Sequence, residues 1–307
     1  MLALAKARHS QNGVIAGFII LMNALKDVLL AAERKRIAVG HFNFSDLAAF
    51  NAIVEAGRES DKPVMVGLSE GERAFVGVRQ AVALVTSIRD QYKYPLFLNA
   101  DHTHSLAKAE EAARAGFDQI IFDGSALSFE ENVAQTKAAV EAIKFIDPSI
   151  VVEGEVGWIG ASSEVHEGRP AGVALTTAEE AKQFVGATHV DVLAPAVGNM
   201  HGMLESMVHG STHKHLDIER IAEIKEATGI LMTLHGGSGT DDEDFRKAIK
   251  AGINIVHVNT ELRLAWRRGI ETALAGQPKE IAPYKILPAA VEAIKAVVSA
   301  RLRLFGS

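Results

Sequence analysis

Three histidines, far apart in the chain, each close an apolar run: Leu98-Asn-Ala-Asp101-His102, Val197-Gly-Asn-Met-His201-Gly202 and Thr233-Leu-His235-Gly236-Gly237-Ser238-Gly239. If these runs are parallel strands of one sheet, their ends meet at one rim, and three imidazoles at one point form a zinc site with a position left for substrate or water. Asp101 precedes His102 directly, so on a regular strand it leans to the other side. There it could face substrate as a general acid/base, or stand behind a histidine as an orienting carboxylate; the residues alone leave both open. Asp123 and Glu155 end further apolar runs and are read as alternative ligands, a second cation site or acceptors for imidazole N–H groups. The remaining histidines, His41, His104, His166, His189, His209, His213, His215 and His257, are read from their positions as ordinary solvated or core residues.

Positioning those groups requires a sheet. Eight strand-like runs alternate with longer helical segments: 37–43, 63–69, 96–102, 119–123, 150–155, 190–198, 230–235 and 253–259. Most are nearly continuous in apolar residues, as strands covered on both faces must be. Helices are expected over 45–60, 105–115, 129–146, 176–186, 217–228 and 242–251, several opening on a Ser, Thr or Asp cap. Eight βα units in this length describe an α/β TIM (β/α)8 barrel. Nearly every run stops on a polar residue: Asn43, Ser69, Asp101 with His102, Asp123, Glu155, His201, His235, and Asn259 with Thr260. In a barrel these ends form one ring. The segments 157–175 and 202–215 are long for βα loops and are placed over that ring. Gly236 to Gly239 after the seventh run and Asn259-Thr260 after the eighth occupy the usual phosphate position of such barrels.

Composition sets the outer bounds. At 307 residues and 48% hydrophobic, the chain can bury a large core, and a net charge of −6 argues against nucleic acid or an anionic membrane as partner. There is no cysteine, so any metal must be held by His, Asp or Glu. The apolar stretch Val14–Met22 is too short to span a bilayer. The segment from Asn23 through Lys35 reads as an amphipathic helix entering the first strand. Residues 1–21 are accordingly set apart as an N-terminal extension, residues 22–307 as a single barrel domain, and the protein is expected in the cytoplasm.

After residue 22 the chain resembles the class II, zinc-dependent fructose-bisphosphate and tagatose-bisphosphate aldolases. The motifs that carry the likeness are Val39-Gly-His-Phe-Asn43, Ser69-Glu-Gly71, Asn99-Ala-Asp-His102, Ile121-Phe-Asp-Gly-Ser125, Phe129-Glu-Glu-Asn-Val133, Val152-Glu-Gly-Glu-Val-Gly157, Gly198-Asn-Met-His-Gly202, Leu234-His-Gly-Gly-Ser-Gly239, Val258-Asn-Thr-Glu261 and Leu304-Phe-Gly306. The resemblance implies a homodimeric or homotetrameric TIM barrel acting on a sugar phosphate in glycolysis or gluconeogenesis. It makes His102, His201 and His235 the ligands of catalytic Zn2+ and Asp101 the acid/base on the aldol hydroxyl. It assigns Asp123 and Glu155 to a secondary cation site, divalent or monovalent. It lines the substrate site with Asn43, Ser69, Gly202, Gly236, Gly237, Ser238, His257, Val258, Asn259 and Thr260. Glu164 falls near the mobile-loop carboxylate that moves the C3 proton, with Glu167 as its rival.

Two departures bear on substrate. Glu205 stands where related enzymes often place a phosphate-binding lysine, and the longer loop carrying Ser211-Thr-His-Lys-His215 offers Lys214 or a loop histidine as the replacement positive charge. His257 stands where asparagine is usual. The leading expectation is cleavage of fructose 1,6-bisphosphate to dihydroxyacetone phosphate and glyceraldehyde 3-phosphate. Tagatose 1,6-bisphosphate or another ketose 1-phosphate is the alternative, because contacts that decide stereochemistry at C4 are not located by sequence. A zinc hydrolase would use the same histidines to activate water, but the phosphate motif weighs against it. An inactive metal-binding relative would have little reason to keep Asp101.

Overall fold

The structure, a computed structural model, describes residues 24–160, 163–167 and 175–306. The expected extension 1–21 lies outside the described residues. In chain order the elements are α1 (Leu25–Lys35), β1 (Val39–Asn43), α2 (Leu47–Glu59), β2 (Val64–Leu68), α3 (Glu70–Val76), α4 (Val78–Tyr92), β3 (Leu96–Thr103), α5 (Leu106–Ala115), β4 (Gln119–Phe122), α6 (Phe129–Ile146) and β5 (Val151–Val156). There follow β6 (Val165–His166), α7 (Ala178–Thr188), β7 (Val192–Pro195), β8 (Met203–Leu204), α8 (Glu205–Val208), α9 (Ile218–Thr228), β9 (Leu231–Leu234), α10 (Asp242–Ala251), β10 (Ile253–Val258), α11 (Thr260–Gly276), α12 (Pro283–Ile286) and α13 (Pro288–Phe305). The parallel strands close into a barrel in the order β1-β10-β9-β7-β5-β4-β3-β2, which is the expected TIM fold. Each expected strand is present. The run 190–198 is strand only over β7, because Gly198 takes φ +94° and the Asn199 side chain accepts a hydrogen bond from Val197 N at 2.8 Å, turning the chain out of the sheet.

Alternation along the strands sorts the barrel into layers. Outward side chains, such as Phe42, Val66, Leu98, Val152, Leu234 and Val258, join the helices in the main apolar core. Inward, seven strands contribute Val39, Met65, Phe97, Val151, Val192, Leu231 and Ile255 to a floor, which α1 covers with Leu25, Val28, Leu29 and Ala32. Two residues further along the same strands the interior turns polar, with His41, Asn99, Glu153, Thr233 and His257 at most 5% exposed. Gly67 belongs to this level because a Cβ there would lie 2.1 Å from His41 Nε2. Two residues further again come Asn43, Asp101, Glu155, His235 and Asn259. The barrel is thus dry below and titratable at its mouth.

The helix that closes the floor makes a separable test. Leu29 is fully buried there, so Leu29→Ala is expected to cost about 2–4 kcal/mol. Thermal unfolding should register that loss while metal content per folded molecule stays unchanged; loss of metal in the folded variant would tie the floor to the site.

Candidate active site

His102, His201 and His235 converge. His102 Nε2 is 3.1 Å from His201 Nε2 and 3.1 Å from His235 Nδ1. Tetrahedral zinc with Zn–N bonds of about 2.0–2.1 Å needs nitrogens about 3.3 Å apart, so the donor set fits a divalent metal of that size. The other nitrogen of each ring decides the tautomer. His201 Nδ1 donates to the carbonyl of Gly160 at 2.6 Å, His235 Nε2 to Glu153 Oε1 at 2.7 Å, and His102 Nδ1 to Asp123 Oδ2 at 2.8 Å. Each acceptor forces a hydrogen onto the outer nitrogen, so the inner nitrogens turn their lone pairs to the common centre.

Glu153 is built into this arrangement. Fully buried in β5, it also accepts from Gln119 Nε2 at 2.5 Å and Thr233 Oγ1 at 2.7 Å, which holds its carboxylate against His235. Sequence reasoning passed over it as part of an apolar strand. The readable signal was its place two residues before Glu155 on the same inward face.

β3 delivers both Asp101 and His102 to the mouth, which a regular strand cannot do. Its register with β4 breaks between Ala100 and Thr103, and His102 adopts the left-handed φ of +42°. This non-glycine conformation costs on the order of 1 kcal/mol. Arg73, from α3, secures the break by donating to Asp101 O at 3.0 Å, Leu68 O at 2.6 Å and Thr103 Oγ1 at 3.0 Å. The expectation that Asp101 leans away from His102 is therefore corrected: Asp101 Oδ1 lies 3.8 Å from His102 Nε2.

Asp101 is 4% exposed; Oδ2 accepts from Asn43 Nδ2 at 2.8 Å, and Oδ1 faces His257 Nδ1 at 3.5 Å. Burial alone would raise its pKa, but His102 and His257 hold the carboxyl well below the usual range. It is a carboxylate at neutral pH. Burial likewise lowers His102, yet Asp101, Asp123 and Glu155 outweigh it and bring the imidazole to about 10. His201, buried and beside cationic His102, falls to about 3. Asp123 is held low by His102 and Ser125 against its burial, whereas burial and Asp123 push Glu155 well above its ordinary value. In the metal-free protein the His102 imidazolium, with ionised Asp123, therefore carries the proton that a metal must displace.

His41 stacks on His257 with ring centroids 3.5 Å apart, and Asn99 Nδ2 lies 3.0 Å from His41 Nε2. Burial lowers His41 to about 4, so both rings in this stack stay neutral, His257 also falling far below its usual value through burial and His41. His41 is thus a buried core histidine, as read from its position, and it packs directly behind the site.

The cleft over these groups is lined by Asn43, Asp101, His102, Ser163, His201, Gly202, His235, Gly236, Ser238, His257, Asn259 and Thr260. Ser238 Oγ accepts from Asn259 N at 3.3 Å and Glu261 N at 3.2 Å, which brings the glycine loop onto the N-terminus of α11. That terminus is a ready anion site. Gly237 is used to close the loop on β10, its N–H donating to His257 O at 3.0 Å.

Other expected substrate contacts lie elsewhere. Ser69 caps α3, its Oγ 3.0 Å from Glu72 Oε2, rather than lining the cleft. The Val258 side chain packs outward into the apolar core. Lys214 is not an exposed loop cation: it is 1% exposed, with Nζ within 2.5–2.8 Å of the carbonyls of Met200, Gly202, Gly236 and Ser238. Glu205 is exposed on α8. Glu164 is exposed beside β6, its carbonyl accepting from Met203 N at 2.8 Å, so its loop is pinned next to Gly202 where β6 pairs with β8. Glu167 is also exposed, on the far side of β6.

A family profile described as fructose-bisphosphate aldolase class-II matches residues 23–307. The chain belongs to this aldolase family. A Bacillus subtilis protein named "Probable fructose-bisphosphate aldolase" is 34% identical over 287 residues, covering 92% of this chain and 97% of the relative. The fructose-bisphosphate aldolase of Geobacillus stearothermophilus is 33% identical, covering 92% and 96%. Among solved structures, the YdjI aldolase of Escherichia coli K12 superposes with a TM-score of 0.75 at 26% identity, covering 92% of this chain and 96% of that one. The aldolase family is metal-dependent, and the three-histidine cluster fits such a metal.

Glu72, also unforeseen, links the cleft to its wall. It accepts from Asn43 Nδ2 at 2.9 Å and from Ser69 N at 2.8 Å, and pairs with Arg263 at 2.8 Å. The Ser69-x-x-Glu72 capping-box spacing was its sequence signal.

Two measurements follow from these assignments. Asp101→Ala should keep its metal and lose about 10²–10⁴-fold in turnover, whereas His102→Ala should lose the metal itself; equal metal loss in both would make Asp101 a ligand or a structural group. Because His102 is protonated up to about pH 10 without metal, metal binding at pH 8 should release about one proton. Affinity should rise with pH through the neutral range, and calorimetry in buffers of different ionisation enthalpy would reveal a proton count of zero if the assignment is wrong.

Proposed function

We propose that this chain catalyses the reversible aldol cleavage of fructose 1,6-bisphosphate to dihydroxyacetone phosphate and glyceraldehyde 3-phosphate, with zinc as its metal. The observation that carries the reading is the cleft itself: a three-imidazole donor set, the ionised Asp101 and the N-terminus of α11 with Ser238 against it share one small space. A zinc ion held by His102, His201 and His235 supplies Lewis-acid charge for the enediolate oxygens left when the C3–C4 bond breaks.

Asp101, oriented by Asn43, takes the C4 hydroxyl proton in cleavage and returns it in condensation. Glu164, on the loop beside Gly202, moves the C3 proton of the dihydroxyacetone-phosphate half. Gly202, Gly236, Ser238, Asn259 and Thr260 receive the phosphate of that half through backbone N–H groups and the positive end of α11. With the Lys214 ammonium engaged by four loop carbonyls, the phosphate is met chiefly by these dipoles. Asp123 and Glu155 orient His102 and form the candidate second cation position.

The family match over 23–307 supports reading residues 22–307 as one catalytic domain. Among the described residues no helix is long and apolar enough to cross a membrane. The reading extends to a cytoplasmic homodimer or homotetramer, which sedimentation would measure.

The deciding assay offers fructose and tagatose bisphosphates side by side to zinc-loaded protein and follows triose phosphate. Fructose 1,6-bisphosphate should be the better substrate, chelation should abolish turnover, zinc should restore it, and borohydride with substrate should not inactivate. Preference for the tagatose isomer would move the substrate assignment; full activity without metal would end the reading. Glu164→Ala should slow C3-proton exchange of dihydroxyacetone phosphate more than Glu167→Ala, and the opposite order would exchange their roles.

A further inference from the structure

Lys214 is among the largest fully buried side chains of the protein, yet it takes no part in the chemistry above. Its Nζ lies 2.7 Å from Met200 O, 2.5 Å from Gly202 O, 2.8 Å from Gly236 O and 2.6 Å from Ser238 O. The first two carbonyls flank His201; the other two follow His235. A neutral amine would turn a lone pair toward one of these oxygens, so the shell selects the ammonium. Even the ammonium has only three N–H groups, and four oxygens at similar range are the surroundings of a sphere of charge rather than of directed bonds. Rings of peptide carbonyls replace the hydration shell of potassium in the same manner.

The carbonyls converge because the two loops must touch. Gly202 and Gly236 take left-handed φ values of +75° and +60°, and a Cβ on Gly236 would fall 2.2 Å from Met200 O. Asn199 Nδ2 ties the first loop to His235 O at 3.1 Å. Loops brought this close turn like-signed carbonyl dipoles on one another, which spreads them apart unless a cation sits between. The lysine enters from the side and is itself fastened to the second loop, Lys214 N donating to Gly239 O at 2.8 Å and Lys214 O accepting from Asp241 N at 3.2 Å.

We propose that the Lys214 ammonium is a built-in monovalent cation, a positioning group that locks the His201 and His235 loops together and frees the protein from any need for a dissolved one. The proposal rests on the reading of His201 and His235 as metal ligands. It explains why a lysine carried on a lengthened loop is buried among the carbonyls of the two ligand loops.

The test compares salts of potassium, ammonium and tetramethylammonium at equal ionic strength, reading zinc affinity and the thermal midpoint. The wild-type protein should be indifferent to the cation. Lys214→Ala leaves a hole lined by carbonyl oxygens; in tetramethylammonium it should bind zinc about 10- to 100-fold more weakly and unfold at lower temperature. Potassium or ammonium should restore both saturably. Lys214→Met fills the hole without charge and should be impaired in every salt. Wild-type dependence on potassium would overturn the proposal, as would a Lys214→Ala protein that is unimpaired in tetramethylammonium or equally impaired in all salts. If Lys214→Ala does not fold in tetramethylammonium, potassium or ammonium should fold it, and failure in both would count against the proposal. No substrate enters these measurements, so inactivity toward sugar bisphosphates would refute the proposed reaction and leave this result standing.

Discussion

Three imidazole nitrogens gathered at one point, His102 Nε2 lying 3.1 Å from each of the other two, repel one another unless positive charge lies between them, and the barrel mouth is organised around that demand. Each imidazole is denied its alternative tautomer by an acceptor on its far side: a backbone carbonyl for His201, Glu153 for His235 and Asp123 for His102. Without metal, the least costly answer is a proton on His102, which the neighbouring carboxylates stabilise. With metal, the same carboxylates raise the basicity of the ligands. The surroundings therefore favour a cation at this point in either state, and a neutral substitute for Glu153 or Asp123 would weaken that preference.

Below the mouth, the interior is graded along the strands. The apolar floor and α1 fill the bottom of the barrel, the polar level lies above it, and the last inward residues line the cleft. The polar level is where space is scarce. Gly67 makes room for His41, and His41 stacks on His257, which in turn faces Asp101. Burial keeps both rings neutral, so they add shape and hydrogen-bonding capacity without competing for the metal's charge. Asp101 remains the ionised group at this depth that is free of the outer-acceptor duty carried by Asp123.

Charge is distributed differently on the two sides of the ligand loops. On the cleft side, the proposed phosphate seat is made of N–H groups and the end of α11. Between the loops Lys214 is buried, surrounded by carbonyls. An ammonium engaged by four loop carbonyls holds together the two loops that carry His201 and His235. Glu205, at the position where a lysine was expected, points to solvent and leaves the cleft to these dipoles.

Much of this was legible in the residues themselves. Eight apolar runs separated by capped helices specify the barrel, because strands buried on both faces and amphipathic helices differ in period, and polar residues ending those runs must share one rim. His102, His201 and His235 were legible for that reason, and so was the glycine loop at α11. What sequence could not decide were directions and depths. Asp101 and His102 face the same centre only because the β3–β4 register breaks and His102 takes a left-handed φ. Glu153 looks like one more residue of a buried strand until Gln119 from β4 and Thr233 and His235 from the end of β9 close on it. Lys214 looks like an exposed loop cation until two distant loops turn their carbonyls toward it. Local pattern determines which residues reach the rim, since periodicity is a property of neighbours in the chain; what each one touches there depends on groups tens of residues away, and only the closed barrel brings those together.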